Sequence, residues 1–285
     1  RFIGRLIDSS GEELFERYRR ETAELAARRG LFAGTPWEPL EELLGTVAGA
    51  VSPRLSSSVT LSTMHGCPPD EIEEIARYLL EERGLHTIVK LNPTLLGRDA
   101  VMGILHGHLG HRDIHIPDAV FEHDLQYDRA VNLIRSLRET AAERGLFFGV
   151  KLSNTLAMAN HRHALPGAEM YMSGQALYPI TVNLFHKLVE EFDGDLNVSY
   201  AGGADALNLT TLLAAGALPV TAATDLLKPG GYARLTHWLE ELESGMKARA
   251  ASSLDELARD RRAALATAAA QALEEPLYKK STWPH

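Results

Sequence analysis

The amino-acid sequence predicts an α/β fold in which parallel strands and helices alternate to form a (β/α) barrel. From Ser58 onward, short runs of β-branched residues alternate with charged, amphipathic stretches, which is typical of consecutive βαβ units. A strand-ending motif occurs twice, and small residues follow the last two predicted strands. A chain of 285 residues is long enough for one large domain of this class.

The predicted elements follow one another in an α/β order. Residues 1–57 form a helical N-terminal segment, with a helix over 9–29 and a connector that contains proline. Residues 58–245 hold the barrel strands, and 246–285 form a C-terminal helix and an exit linker. The predicted strands are 59–62, 87–92, 113–116, 147–152, 170–172, 196–200 and 219–223. The predicted helices are 70–83, 125–144, 178–192, 205–215, 229–243 and 253–273.

The composition favours an enzyme of small molecules. Asp and Glu number 38 against 29 Lys and Arg, a net charge of −9 that argues against a nucleic-acid surface. A single cysteine excludes an internal disulfide and fits a reducing, cytoplasmic compartment. No apolar run reaches the roughly 20 residues of a membrane helix.

One motif is repeated within the chain. Residues 89–96 (VKLNPTLL) return as residues 150–157 (VKLSNTLA), so each copy ends a strand with lysine, leucine and polar groups. In a barrel both copies would present these groups at the C-terminal rim, where barrel enzymes hold their active sites.

Two late turns indicate a phosphate site. Residues 199–205 (SYAGGAD) and 221–225 (TAATD) place small residues after consecutive strands, where backbone N–H groups can approach a ligand. The helix N-termini beyond them favour an anion. Ordinary tight βα turns would give the same pattern, so this alternative stays open.

The order of these motifs resembles the flavin barrel of the dihydroorotate and dihydropyrimidine dehydrogenases. The shared features are Leu-Asn at 91–92, Val-Lys-Leu at 150–152, SGQALYP at 173–179, Gly-Gly at 202–203 and Ala-Thr at 223–224. Residues 62–69 (STMHGCPP), 121–125 (FEHDL) and 226–232 (LLKPGGY) are similar to the barrel of a multidomain oxidoreductase subunit that is usually labelled "putative selenate reductase" or glutamate-synthase-related. The resemblance covers roughly residues 58–285. It implies a (β/α)8 TIM barrel of the dihydroorotate-dehydrogenase type.

The resemblance implies FMN as the cofactor and assigns roles to individual residues. Lys151 would contact the flavin ring and stabilise its anionic reduced form, and Asn92 would hydrogen-bond the substrate. The residues implied to bind the FMN phosphate are Ser173, Gly174, Gly202, Gly203, Ala223 and Thr224. The implied reaction is hydride exchange between FMN and a C–C or C–N bond of a small, polar, heterocyclic substrate.

The resembling subunit carries further redox domains after its barrel, an iron–sulfur segment and a nucleotide-binding module. One cysteine cannot ligate a cluster, and this sequence has no Gly-x-Gly-x-x-Gly. The resemblance therefore implies iron–sulfur and nucleotide-binding partner domains outside this chain.

The sequence departs from the dehydrogenase pattern in two ways. Those enzymes carry a Cys or Ser base just after the Leu-Asn strand, whereas this chain has Pro93 and then Thr94. The strand at 59–62 corresponds to the third strand of the barrel, so 58–245 would hold strands three to eight and the first two would be missing.

His65 and Cys67 are further candidates for acid or nucleophile. They follow a strand and precede a helix, and a thiol at a helix N-terminus is expected to have a lowered pKa. A buried thiol beside a hydrogen-bonded imidazole is the structural alternative. The histidines between 106 and 123 match no compact metal-ligand spacing and predict a polar loop.

Two other functions remain open at the sequence level. Lys151 could form a Schiff base in a flavin-free lyase, which would require a depressed lysine pKa. The barrel could instead be a non-catalytic structural or docking module in a redox complex. The structural alternative for Lys151 itself is a lysine in a strand-end ion pair.

Overall fold

The computed structural model describes residues 9–28, 30, 32–39, 43, 56–62, 67–163 and 165–280. The chain divides into two compact units, residues 1–57 and residues 58–285. The described part of the first unit contains a helix at Ser9–Ala26, as predicted. Its exposed surface carries an i,i+4 ion pair, with Arg17 Nε 2.8 Å from Glu21 Oε1.

The second unit is built on a parallel sheet of five strands in the order β1-β2-β3-β6-β7. The strands of this sheet are β1 (Ser58–Ser62), β2 (His86–Leu91), β3 (Phe148–Leu152), β6 (Val198–Tyr200) and β7 (Ala217–Val220). β4 (Leu156–Ala159) and β5 (Glu169–Met172) form a separate antiparallel pair. The parallel sheet and its helices confirm the predicted α/β class.

Helices connect and cover the strands of this unit. They span Pro69–Glu81, Arg98–Met102, Asp118–His123, Tyr127–Glu143, Tyr178–Glu191, Leu209–Ala214, Arg234–Ala248, Leu254–Leu257 and Arg261–Glu274, with a π-helical turn at Gly103–His108. The first of them shows how sequence sets a boundary: Pro69 opens it, and acidic side chains in its first turn suit the positive end of the helix dipole. Its buried residues are Ile72, Ala76, Leu79 and Leu80, which share one face because they recur at helical spacing.

Three predicted strands differ in the structure, one of them only in its bounds: the strand predicted at 219–223 spans Ala217–Val220. The prediction of a strand at 113–116 is wrong: this segment is a loop, fixed by ion pairs of Asp113 with Arg162 (2.6 Å) and Lys280 (2.6 Å). Alternating Ile114 and Ile116 produced a strand-like pattern without strand pairing. The predicted strand at 170–172 exists within β5, but it pairs with β4 and lies outside the parallel sheet.

The core of the second unit lies between the sheet and its helices. Tyr200 and Phe185 are among its largest fully buried side chains. The ring of Tyr178 stacks on that of Tyr278 with their centres 5.4 Å apart, which ties the chain after the last long helix to this core. Among the residues described, no helix is both long and apolar enough to cross a membrane.

Candidate functional site

The C-terminal ends of β2, β3, β6 and β7 border one cavity of about 210 Å³. Its lining residues are Lys90, Lys151, Ser153, Asn154, Thr155, Ser173, Gly174, Leu177, Ala201, Gly203, Ala204, Thr221, Ala222, Ala223 and Thr224. None of these residues is acidic, whereas two are cationic and five carry hydroxyl groups. The donor set therefore suits an anionic or strongly hydrogen-bonding ligand.

Lys151 lies near the end of β3 and is directly opposite Lys90 of β2 and Ser199 of β6. Opposed residues of neighbouring strands point to the same face of a sheet, so both lysines face the cavity. Both are partly buried. Burial lowers the pKa of Lys90, and burial together with the charge of Lys90 lowers the pKa of Lys151.

Polar groups follow β3 in a hydrogen-bonded row. Asn154 Nδ2 donates to Asn92 Oδ1 at 2.8 Å, and the backbone N–H of Asn154 donates to the Leu91 carbonyl at 2.9 Å. The hydroxyls of Ser153 and Thr181 lie 3.0 Å apart in a hydrogen bond. Asn92 is thus buried behind Asn154, which itself lines the cavity.

The turn after β6 packs tightly against the turn that contains Gly174. Gly203 has φ +82°, and a Cβ there would overlap the carbonyl oxygen of Gly174. A Cβ at Gly174 (φ +63°) would lie 2.6 Å from Thr224 Cγ2, and one at Gly202 would overlap the Thr181 side chain. Contacts within the protein therefore require glycine at these positions. The predicted approach of a ligand to their backbone stays a prediction.

A buried carboxylate fixes the turn after β7. Asp225 accepts bonds from Arg234 Nη2 (2.8 Å) and Trp238 Nε1 (2.9 Å), and Lys228 Nζ lies 3.1 Å away. Burial alone would raise its pKa, but these three donors outweigh that effect and lower the pKa to about 2. Asp225 follows Thr224 directly, so this network holds Ala223 and Thr224 at the edge of the cavity.

Asp205 organises the turn after β6 in a similar way. Its Oδ1 accepts from the backbone N–H groups of Leu207 (3.0 Å) and Asn208 (3.2 Å), and Asn208 Oδ1 accepts from the Asp205 N–H at 2.9 Å. Asn208 Nδ2 also donates to the Gly203 carbonyl at 3.0 Å. Burial raises the pKa of Asp205, while the two backbone bonds oppose that rise.

Several predicted site residues come together at this cavity. Those that line it are Lys151, Ser173, Gly174, Gly203, Ala223 and Thr224. Gly202 and Asn92 are not among the lining residues. Gly202 is next to two of them in sequence, and Asn92 is hydrogen-bonded to a third, Asn154. Thr94 does not line the cavity: it is buried, and its hydroxyl donates to Asp124 Oδ2 at 2.7 Å.

His65 and Cys67, the two candidates just before the helix Pro69–Glu81, have different outcomes. His65 lies outside the described residues. Cys67 is partly buried against the core. The prediction of a lowered thiol pKa is wrong, because burial and the nearby carboxylate of Glu71 raise the pKa of Cys67.

Histidines of the predicted polar loop bond to backbone carbonyls. His106 Nε2 lies 2.8 Å from the Ile114 oxygen, and His111 Nε2 lies 2.9 Å from the Tyr278 oxygen. In the ranges that the structure describes, no three metal-ligating side chains converge.

Sequence reasoning did not single out Lys90, Ser153, Asn154, Thr155 or Thr221 as site residues. A signal for Lys90 was present, because the repeated motif aligns Lys90 with Lys151. The sheet register pairs the same two residues. Ser153, Asn154 and Thr155 lie in the repeated motif, whose polar groups were predicted to lie at the rim, and Thr221 lies in the predicted phosphate turn 221–225. No individual role was predicted for any of them.

The cavity fits the phosphate and the polar edge of a flavin better than a whole flavin. Its hydroxyls, its turn backbone and its lysines suit a phosphate and an anionic ring. Its volume of about 210 Å³ is below the roughly 300–1,000 Å³ that is usual for cofactor-sized pockets. Lys151 and the turns after β6 and β7 would hold the cofactor in this cavity.

Comparison with known proteins places the chain in a family. Residues 1–280 match the family described as "Oxidoreductase YgfK, N-terminal TIM-barrel domain". This match confirms the predicted barrel class. Over 246 residues the chain is 44% identical to proteins named "Putative oxidoreductase YgfK" from Escherichia coli strain K12 and from E. coli O157:H7. The aligned region covers 85% of this chain and 23% of each relative, so the chain spans less than a quarter of their length.

Two solved structures of DHODH from Eimeria tenella are also similar, each at 16% identity. The complex with ferulenol has a TM-score of 0.39 and covers 68% of this chain and 58% of its own. The ligand-free structure has a TM-score of 0.40 and covers 67% of this chain and 60% of its own. Scores of this size do not establish a shared fold.

Proposed function

The chain belongs to the family of the YgfK N-terminal TIM-barrel domain, and from this membership and the site we propose that it is the FMN-binding domain of an oxidoreductase. The observation that carries the proposal is the position of Lys151 in the cavity lining. Its ammonium group faces a cavity in which none of the described lining residues is acidic, beside two turns whose backbone and hydroxyls suit a phosphate.

When bound, FMN would supply the hydride-transfer chemistry. Lys151 would provide positive charge at the flavin ring, where negative charge develops on reduction. Asn154, held by Asn92 at 2.8 Å, would direct polar bonds toward a small, heterocyclic substrate. The phosphate would lie at the turns after β6 and β7, oriented by the backbone that Asp205 and Asp225 fix.

The other parts of the proposed reaction lie outside this chain. We propose, from the resemblance described above, that iron–sulfur and nucleotide-binding domains outside this chain exchange electrons with the flavin. The chain spans 23% of each E. coli relative, which leaves room for such domains. A cytoplasmic location is part of the same proposal and rests on the single cysteine.

The absorption spectrum of the longer purified protein tests the proposal. We expect flavin bands and, after denaturation, release of FMN identified by mass spectrometry. A colourless protein that takes up no FMN on reconstitution would contradict it.

A second function, a Schiff-base lyase, has one observation in its favour. Partial burial and, to a lesser extent, the charge of Lys90 lower the pKa of Lys151, and this would increase its share of neutral, nucleophilic amine. Borohydride treatment in the presence of pyruvate distinguishes the two functions. A lyase would gain a stable adduct at Lys151, whereas the proposed flavoprotein would gain none.

A further inference from the structure

We infer that Ser153 donates a hydrogen bond to the phosphate group of the ligand, and that Thr181 positions the Ser153 hydroxyl for this contact. The inference rests on the proposed function, because it presumes that a phosphate lies at the turn after β6. It adds a side-chain donor to the backbone groups of that turn, and it gives a buried residue of the helix Tyr178–Glu191 a role in binding.

Ser153 and Thr181 meet beside the cavity. Ser153 follows β3 directly and is one of the residues that line the cavity. Thr181 is fully buried in the helix Tyr178–Glu191, and its Oγ1 lies 3.0 Å from Ser153 Oγ. Thr181 itself is not among the described lining residues, so its effect on a ligand is transmitted through Ser153.

The hydrogen bonds of Ser153 determine which hydroxyl donates. A hydroxyl group has one proton to donate and two lone pairs that accept. Ser153 Oγ donates to the Asn154 carbonyl at 2.9 Å, because a carbonyl oxygen can only accept. The Ser153 proton is therefore used, and the bond between the two hydroxyls is donated by Thr181. The protons run in one direction, from Thr181 to Ser153 and from Ser153 to the Asn154 carbonyl.

This arrangement prepares Ser153 to donate to an anion. A hydroxyl that accepts one hydrogen bond is polarised and donates a stronger one. Rotation about the Cβ–Oγ bond of Ser153 turns its proton from the Asn154 carbonyl toward the cavity, while the bond from Thr181 is kept. A phosphate oxygen is the stronger acceptor of the two because it carries charge.

Thr181 also contacts the turn that is proposed to bind the phosphate. A Cβ at Gly202 would overlap Thr181 Oγ1, so the Thr181 side chain packs directly against the turn after β6. The Tyr200 hydroxyl donates to the Gly202 carbonyl at 3.0 Å and holds the same turn. One buried side chain therefore contacts both Ser153 and this turn, which brings the two within reach of the same phosphate.

Variants at both positions test the inference in the chain of 285 residues. Ser153→Ala removes the proposed donor, and Thr181→Val removes the positioning hydroxyl but keeps the shape of the side chain. Equilibrium dialysis measures the affinities for FMN and for riboflavin. We expect each variant to bind FMN about threefold to tenfold more weakly, the loss of one hydrogen bond, and to bind riboflavin as the wild type does.

A double variant shows whether Thr181 acts through Ser153. In Ser153→Ala, the further change Thr181→Val should weaken FMN binding by less than about twofold, because the hydroxyl that Thr181 positions is already absent. Thr181→Ser keeps the hydroxyl and should retain the wild-type affinity, which a defect in packing would not allow.

Thr87→Val is the matched control. Thr87 is also fully buried, and its hydroxyl donates to the Leu85 carbonyl at 3.0 Å, but it lies near the start of β2, away from the cavity. This variant should leave FMN binding unchanged. Additive losses in the double variant, or single variants that bind FMN as the wild type does, would overturn the inference.

Inorganic phosphate separates this outcome from that of the proposed function. Its binding is followed by line broadening in phosphorus NMR, and we expect it to weaken in Ser153→Ala and in Thr181→Val. Phosphate binding with this dependence in a chain that takes up no FMN would contradict only the flavin assignment. FMN binding that neither variant changes would contradict only the role of Ser153 and Thr181, and a chain that binds neither ligand would contradict both proposals.

Discussion

Lys151 carries most of the chemistry proposed for this protein. Its position near the end of β3 brings a positive charge to the cavity. None of the described lining residues is a carboxylate that could neutralise this charge. Lys90 beside it adds a second positive charge, and burial together with that charge lowers the pKa of Lys151. One residue therefore connects the strand register, the electrostatics of the cavity and the proposed cofactor.

Lys151→Met should slow substrate-driven flavin reduction by about 10²–10³-fold, because a charge that stabilises the reduced flavin is lost in a partly buried site. FMN content should fall much less, since the phosphate turns remain. Stopped-flow absorbance of the reconstituted longer protein measures the rate. Lys247→Met is the control. Reduction of Lys151→Met at the wild-type rate would leave Lys151 with a structural role only.

A substitution at Gly203 tests how the turn after β6 packs against the turn that contains Gly174. Gly203→Ala should lower the free energy of unfolding by roughly 1–3 kcal/mol, because Gly203 has φ +82° and its Cβ would overlap the Gly174 carbonyl. Gly84→Ala is the matched control, since Gly84 has φ +60° but open space around it. Urea denaturation measures both. Equal losses in the two variants would mean that backbone conformation, and not the contact with Gly174, sets the requirement at 203.

At the scale of elements, the turn after β7 depends on one buried carboxylate. Thr224–Leu227 is a 3-10 turn, and Asp225 within it is bonded to Arg234 and Trp238 of the following helix. The turn therefore keeps its shape through contacts on the side away from the cavity. This arrangement leaves Ala223 and Thr224 available to a ligand.

The lowered pKa of Asp225 predicts that the folded protein loses stability at low pH. The folded pKa of Asp225 is about 2, below the unfolded value near 3.8, so this carboxylate stabilises the protein above about pH 4. That contribution, about 2 kcal/mol, is lost as the pH falls toward 2. Asp225→Asn should be less stable than the wild type at pH 6, and the difference should shrink at low pH. Asp195→Asn, at an exposed ion pair, should change stability by less than about 0.5 kcal/mol. A pH-independent difference for Asp225→Asn would contradict this account.

The sequence predicted elements better than it predicted contacts. The repeated VKL motif correctly indicated two strand ends, and the sheet register pairs its two lysines. The segment 113–116 misled because alternating isoleucines resemble a strand while ion pairs of Asp113 fix a loop. The contact of Gly203 with Gly174 could not be predicted, because it joins residues distant in sequence. The pKa of Cys67 was misjudged because burial and Glu71 outweigh the helix dipole.

At the scale of the whole molecule, the described sheet has five strands, with β1 and β7 at its edges. The family is one of TIM barrels, which close with eight strands. Residues at the ends of four of these strands, β2, β3, β6 and β7, line the cavity. We propose that its turns after β6 and β7 would hold the phosphate half of a flavin.

The chain of 285 residues should therefore bind FMN more weakly than about 1 μM. Its cavity of about 210 Å³ can cover the phosphate and part of the ring, but it is too small to bury a complete flavin. Equilibrium dialysis of the purified chain measures the affinity. Binding at micromolar or lower concentration would mean that the ring half of the site is already complete within this chain.

The most direct test of the central claim compares FMN with riboflavin, which lacks the phosphate. Both are titrated into the same chain, and quenching of flavin fluorescence is followed. The account predicts that FMN binds at least about tenfold more tightly, because the turns after β6 and β7 contribute charge-assisted hydrogen bonds worth about 1.5–3 kcal/mol to the phosphate alone. Equal affinity for the two flavins, or no FMN binding up to millimolar concentration, would contradict the assignment of these turns as the phosphate site.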